Sequence, residues 1–138
     1  MKLIVRSPEG VVYETEDADE ILLPGHAGEL GVLPDHAALM TPLRIGIVTV
    51  RRESGEKLLA LSGGFADVSP ESVTILADSA ELAEEINVER ARKAKERAEQ
   101  RLRKAQADAA GDVDHDRAAV ALRRAVNRLQ AAEAHTGK

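Results

Sequence analysis

The stretch Leu43–Ser62, LRIGIVTVRRESGEKLLALS, decides the fold of the first half of the chain. From Leu43 to Arg51, Ile45, Ile47 and Thr49 fall on one face and Val48 and Val50 on the other. That is the two-residue period of a strand, carried by β-branched side chains that suit a pleated surface. Arg52-Glu53-Ser54-Gly55-Glu56 is a polar loop holding a glycine, and Lys57-Leu58-Leu59-Ala60-Leu61-Ser62 runs back. The pattern predicts a β-hairpin.

Similar runs lie on either side. Lys2-Leu3-Ile4-Val5-Arg6 stops at Ser7-Pro8, and Val11-Val12-Tyr13-Glu14-Thr15 follows the turn Glu9-Gly10. Glu20-Ile21-Leu22-Leu23 ends at Pro24-Gly25, and Ser72-Val73-Thr74-Ile75-Leu76 follows Ser69-Pro70-Glu71. Short runs with turns every 8–12 residues or so indicate an antiparallel sandwich or barrel.

The grammar changes near Glu81. Up to Ala80 there are 6 basic and 13 acidic residues; from Glu81 onward there are 13 basic and 11 acidic, and no proline. The first part therefore carries −7 and the second +2, within a chain net charge of −5. Val88, Ala91, Ala94, Ala98, Leu102 and Ala105 recur at three- and four-residue steps, predicting a helix from about Asn87, its N-cap, to about Ala107. Gly111 is the expected stop, with an aspartate capping the next helix, from about His115 to Ala134. Its stripe is Ala118, Leu122, Ala125, Leu129 and Ala132. The expected architecture is α+β: a β-sandwich or barrel over residues 1–84, then an antiparallel two-helix hairpin over residues 85–138.

From Asn87 to His135 there are 14 alanines but 7 Val, Leu or Ile residues. A buried methylene contributes roughly 0.8 kcal/mol, so an alanine seam grips far less than a leucine seam. Alanine still favours the helix itself. The hairpin is thus expected to be helical yet weakly committed to one arrangement, as a moving part must be. Between Arg117 and Gln130 stand Arg117, Arg123, Arg124 and Arg128 and no acid. Arginine forks match carboxylates and phosphates, so this helix is expected to meet an acidic surface or a phosphorylated ligand.

Composition removes several function classes. With no cysteine there is no disulfide scaffold, thiolate metal site or cysteine nucleophile. No apolar run approaches 18 residues, and the amino-terminal run is too short for a signal peptide, so a cytosolic protein, or one bound from the cytosolic side without entering the membrane, is expected. Tyr13 and Phe65 are the only aromatic residues, which with the net negative charge argues against nucleic-acid binding. Gly25, Gly28 and Gly31 form neither a Walker loop nor a dinucleotide fingerprint. His26, His36, His115 and His135 make no metal-ligand pair. Asp35-His36 sets an acid beside a base but reads first as exposed polar groups of a turn. No catalytic residue and no metal site are expected.

Gly28-Glu29-Leu30-Gly31-Val32-Leu33-Pro34-Asp35-His36-Ala37-Ala38-Leu39 strongly resembles the ε subunits of F-type ATP synthases. So do Leu61-Ser62-Gly63-Gly64-Phe65 and Val73-Thr74-Ile75-Leu76-Ala77-Asp78, and in the helical part Ile86-Asn87-Val88-Glu89-Arg90-Ala91, Ala94-Lys95-Glu96-Arg97-Ala98-Glu99 and Arg124-Ala125-Val126-Asn127-Arg128-Leu129. The resemblance covers essentially the whole chain. It implies a sandwich followed by a hairpin, in a non-catalytic subunit of the central rotor stalk at the cytoplasmic face of the membrane, coupling proton flow to ATP synthesis.

The partners it implies are the γ subunit, the ring of c subunits and the catalytic β subunits. Glu29 and His36 match the family's ring-contacting loop, Glu29–His36. Arg117, Arg123, Arg124 and Arg128 match the basic residues that face an acidic segment of the β subunits when the hairpin extends and obstructs ATP hydrolysis. Some relatives hold ATP in the folded form, with a signature of Ile or Leu, Asp, two variable residues, Arg, Ala. Arg90 and Ala91 match it, as do Glu81, Arg97, Arg124 and Arg128 among the further positions, but Asn87 stands where the aspartate belongs. An asparagine hydrogen-bonds without presenting a carboxylate. The resemblance therefore leaves two readings open, an inhibitory hairpin and an ATP-sensing one. In either, ATP is a regulatory ligand and no cofactor is required.

Overall fold

The computed structural model describes residues 1–107 and 112–136, and the chain divides into two compact units, Met1–Glu85 and Ile86–Lys138. The first holds eight strands: β1 (Lys2–Ser7), β2 (Gly10–Thr15), β3 (Glu20–Gly25), β4 (Gly28–Val32), β5 (Leu39–Arg52), β6 (Gly55–Val68), β7 (Ser72–Ala77) and β8 (Ala80–Leu82). They are hydrogen-bonded in the order β2-β1-β7-β6-β5-β3-β4, with β8 on β6. Every ladder is antiparallel except β1 with β7, which run parallel. That pair departs from the antiparallel expectation. Parallel neighbours need a long crossover, and here the whole β2–β6 segment supplies it.

The hairpin β5–β6 is the frame. Its register runs from Arg52↔Gly55 to Leu39↔Val68, far longer than the strands ending at Leu43 and Ser62 that hydropathy outlines. Two local devices carry the extra length. Gly63 (φ +106) and Gly64 (φ +142) let β6 bend without ending, and at the bend it exchanges one neighbour for another. Leu59–Leu61 pair with β8, whereas Gly64–Val68 pair with β7. A Cβ on Gly64 would drive into the Leu76 carbonyl oxygen and lie 2.8 Å from Ala77 Cα, so only glycine fits. On β5, Pro42 lacks an N–H. Its carbonyl accepts from the His26 N–H at 3.0 Å, and a strand residue's N and O point to the same side. The missing donor therefore faces away from β6 and costs no β5–β6 bond.

One core gathers the inward residues of these strands: Leu3 and Val5, Ile21 and Leu23, Val32, Val48 and Val50, Leu59 and Leu61, Val73 and Ile75, each with 1% exposure or less. Arg51 ties three strands at the surface, donating to Glu20 at 2.6 Å and Glu56 at 3.4 Å. Lys57 on β6 pairs at 2.6 Å with Glu84, in the 3-10 turn Ala83–Glu85 that closes the unit.

The second unit holds α1 (Val88–Ala107) and α2 (Asp112–Thr136). Asn87 caps α1: its Oδ1 accepts the Arg90 N–H at 3.0 Å, the N-cap to N3 bond. The expected stop at Gly111 lies outside the described residues. The second helix already includes Asp112, three residues before the expected start at His115. Of the α1 stripe only Ala91 and Ala98 are buried; Val88, at the first turn, is 40% exposed. On α2 the buried set is Ala118, Ala125, Ala131, Ala132 and Asn127. Ala118, Ala125 and Ala132 belong to the expected stripe, whose Leu122 and Leu129 are only half-buried; Ala131 and Asn127 lie outside it, where alanine and asparagine pattern weakly.

Candidate functional site

Glu29 and His36 are not on one loop. Glu29 is an exposed residue of β4, paired with Pro24, and the irregular segment begins only after Val32. The correction has a physical cause: Gly28 at φ +138 closes a tight β3–β4 hairpin around His26 and Ala27, which draws Gly28–Val32 into the sheet. His36 sits half-buried in the following turn. Its N–H donates to the Leu33 carbonyl (3.2 Å) and its Nδ1 donates to the Ala37 carbonyl (2.8 Å). A carbonyl only accepts, so Nδ1 carries a proton in this contact. Asp35 adopts φ +67 and donates its N–H to the Pro70 carbonyl at 2.9 Å. These bonds fix the turn while Leu33, 55% exposed, projects beside it.

Register reveals a surface that hydropathy does not. Val11 pairs with Arg6, Arg6 with Leu76, Leu76 with Phe65, and Phe65 with Pro42, so these side chains form one row across five strands. Phe65 is 54% exposed, Leu76 57% and Val11 52%; Met40, two residues from Pro42 on the same face, is 70% exposed. Runs such as Ile75-Leu76-Ala77 hold apolar side chains on both faces of a strand, and that was the available signal. With Arg6 among them, these exposed apolar side chains form a row of the kind found at interaction sites.

In the hairpin, Arg90 and Arg97 lie seven residues apart on one flank of α1, and Arg117, Arg124 and Arg128 line one flank of α2. At about 100° per residue Arg123 points roughly 120° away, so the four arginines expected to act together do not share a face. Arg90, Arg97, Arg117, Arg123 and Arg124 are exposed, Glu81 and Arg128 half-buried, and Ala91 fully buried as part of the seam. Asn87 spends its Oδ1 on the cap. Among the described residues no three His, Asp or Glu side chains gather to hold a metal, and no helix is long and apolar enough to cross a membrane.

What these features build are surfaces, and the class they define is a docking subunit of a larger assembly. Family models agree on both units: residues 1–83 match the ATP synthase, Delta/Epsilon chain, beta-sandwich domain, and residues 84–133 match the ATP synthase, Delta/Epsilon chain, long alpha-helix domain. The ATP synthase epsilon chain of Moorella thermoacetica is 54% identical over 104 residues, covering 75% of this chain and 77% of that one. That of Halalkalibacterium halodurans is 52% identical over 101 residues, covering 73% and 75%. A chain in the cryo-EM structure of the Euglena gracilis mitochondrial ATP synthase, OSCP/F1/c-ring, superposes with a TM-score of 0.77 at 28% identity, over 94% of this chain and 79% of that one. The chain belongs to the ATP synthase delta/epsilon family, as an epsilon-type chain of F-type ATP synthase. It is a non-catalytic subunit of that complex.

Proposed function

We propose that the first unit is a docking platform in the rotor stalk and the second a regulatory arm. The platform meets the γ subunit through the row Val11, Leu76, Phe65, Pro42 and Met40, and meets polar loops of the c ring through Glu29 and His36. The complex then lies at the cytoplasmic face of the membrane, where proton flow through the ring turns the stalk. The arm obstructs ATP hydrolysis by bringing Arg117, Arg124 and Arg128, with Arg123 on a second face, against an acidic segment of the catalytic β subunits.

The observation that carries this reading is the seam. Among the described residues no leucine, isoleucine or phenylalanine of α1 or α2 is fully buried; Leu102, Leu122 and Leu129 are half-buried. Each alanine contributes one methyl group, against about 1.5–3 kcal/mol for a fully buried leucine. Such a hairpin keeps its helices and gives up its packing at low cost. Removal of residues beyond Glu85 tests it: the truncated chain is expected to assemble with γ, and the assembled complex to hydrolyse ATP faster than the parent. Unchanged hydrolysis refutes the regulatory arm.

A second reading, ATP sensing, is favoured by the flank positions of Arg90 and Arg97 on α1 and of Arg124 and Arg128 on α2. Two arginine pairs at helical spacing suit a triphosphate. Calorimetry with ATP, with and without Arg124→Ala, decides it. A carboxylate restored by Asn87→Asp is expected to tighten binding, and no heat at millimolar ATP ends the reading.

A further inference from the structure

The two sides of the hairpin differ in charge. On α1, Arg90, Arg97, Arg101 and Lys104 fall within about 60° of one another, and Glu89, Glu96 and Glu99 all lie elsewhere around the helix. One interhelical groove is lined by Arg92 and Lys95 together with Glu96, Glu99 and Glu133, so its charges offset. The groove at the other end of the seam is different. There a cavity of about 390 Å³ opens between α1 and α2, walled by Arg101, Lys104 and Arg117 and floored by Ala118 and Ala121. Asp114 is the one acid among its described lining residues. None of the three cations makes an ion pair among the described residues.

We propose that this distal cleft binds the phosphate groups of a small polyphosphate compound. Three cations from two helices converge on one concave space, and two of them are guanidinium forks that match phosphate oxygens in pairs. The volume is that of a small-molecule site. Ala105 on α1, with Ala118 and Ala121 on α2, lets a ligand approach both helix backbones closely, and the surplus positive charge is neutralised when it does. Asp114 opposes the same ligand. The site is separate from Arg90, Arg97, Arg124 and Arg128, and it stands whether or not the ATP-sensing reading does. A ligand there also bridges α1 and α2 across a seam that holds them weakly, so occupancy is expected to rigidify the arm.

Calorimetry on the full chain with pyrophosphate, and in parallel with ATP, tests the assignment. Pyrophosphate is expected to bind, with affinity falling as salt rises. Arg117→Gln and Arg101→Gln are each expected to weaken it about tenfold, Asp114→Asn to tighten it about threefold, and Arg92→Gln in the opposite groove to leave it unchanged. Arg124→Ala separates the two sites: it leaves pyrophosphate binding intact here and abolishes binding at the ATP-sensing positions. ATP binding tighter than pyrophosphate, and equally sensitive to Arg117→Gln, assigns the site to a nucleotide; equal affinities assign it to free polyphosphate. Absence of pyrophosphate heat at about 10 mM, about ten times a Kd of about 1 mM, overturns the proposal. So does binding indifferent to Arg117→Gln. Capture of poly-glutamate without pyrophosphate binding overturns it in favour of an acidic protein partner.

Discussion

Replacing both Phe65 and Leu76 with alanine tests the docking row where it is most exposed. Each side chain is a little over half exposed, at 54% and 57%, so an occupied interface hides about the half that folding leaves open. Full burial of such a side chain contributes about 1.5–3 kcal/mol, and the remaining half therefore about 0.8–1.5 kcal/mol. The two are direct cross-strand partners. Their losses share a neighbourhood and do not strictly add, but together they amount to about 1.5–3 kcal/mol. At 1.4 kcal/mol per tenfold, the Kd for isolated γ subunit should rise about 10- to 150-fold. Titration of the full chain with γ, read by calorimetry, measures it, with urea unfolding as the check that the platform persists. A change of less than about threefold with an intact platform refutes the assignment of this face.

Three further outcomes follow from single contacts. Gly64→Ala forces a side chain into a glycine-only backbone region and against the β7 backbone, which should destabilise the platform by about 2–6 kcal/mol; urea unfolding that moves by less than about 1 kcal/mol contradicts the neighbour-exchange bend at that residue. Asn87→Ala removes the N-cap and should cost about 1 kcal/mol, raising amide exchange in the first turn of α1 about fivefold, while Asn87→Asp should preserve protection. The Thr15 hydroxyl, donating to Asp17 at 2.5 Å, and more weakly the Arg52 charge, hold the Asp17 carboxyl below its ordinary pKa. A depressed folded pKa stabilises above the ordinary carboxylate range and is lost as pH falls through the folded value. Thr15→Val should therefore raise the Asp17 pKa in an NMR titration and flatten that acid limb; an unmoved Asp17 resonance contradicts the contact.

What was legible in the residues followed from period and composition. The alternation at Ile45–Val50 and the turn at Arg52–Glu56 marked the central hairpin, and the alanine-rich stripe marked both helices, because each signal is local. The extension of β6 past Ser62 was not legible: a Gly-Gly pair ordinarily breaks a strand, and here its positive φ values are what let the strand change partners. The β4 strand was hidden for a similar reason, its glycines Gly28 and Gly31 reading as loop until pairing with β3 orders them. The apolar row across Val11, Leu76, Phe65 and Pro42 exists only once register is known, since residues far apart in sequence meet there. The arginines of α2 were visible as a set, but their division into one flank and a separate Arg123 required counting around the helix axis.

The division into a fixed platform and a releasable arm is tested most directly by amide hydrogen exchange on the assembled ATP synthase, with and without ATP. Protection in β3, β5 and β6 should stay constant, while protection across the Ala91–Ala98 and Ala118–Ala132 seam should change with the nucleotide. Equal and unvarying protection of seam and strands in every nucleotide condition would contradict the account.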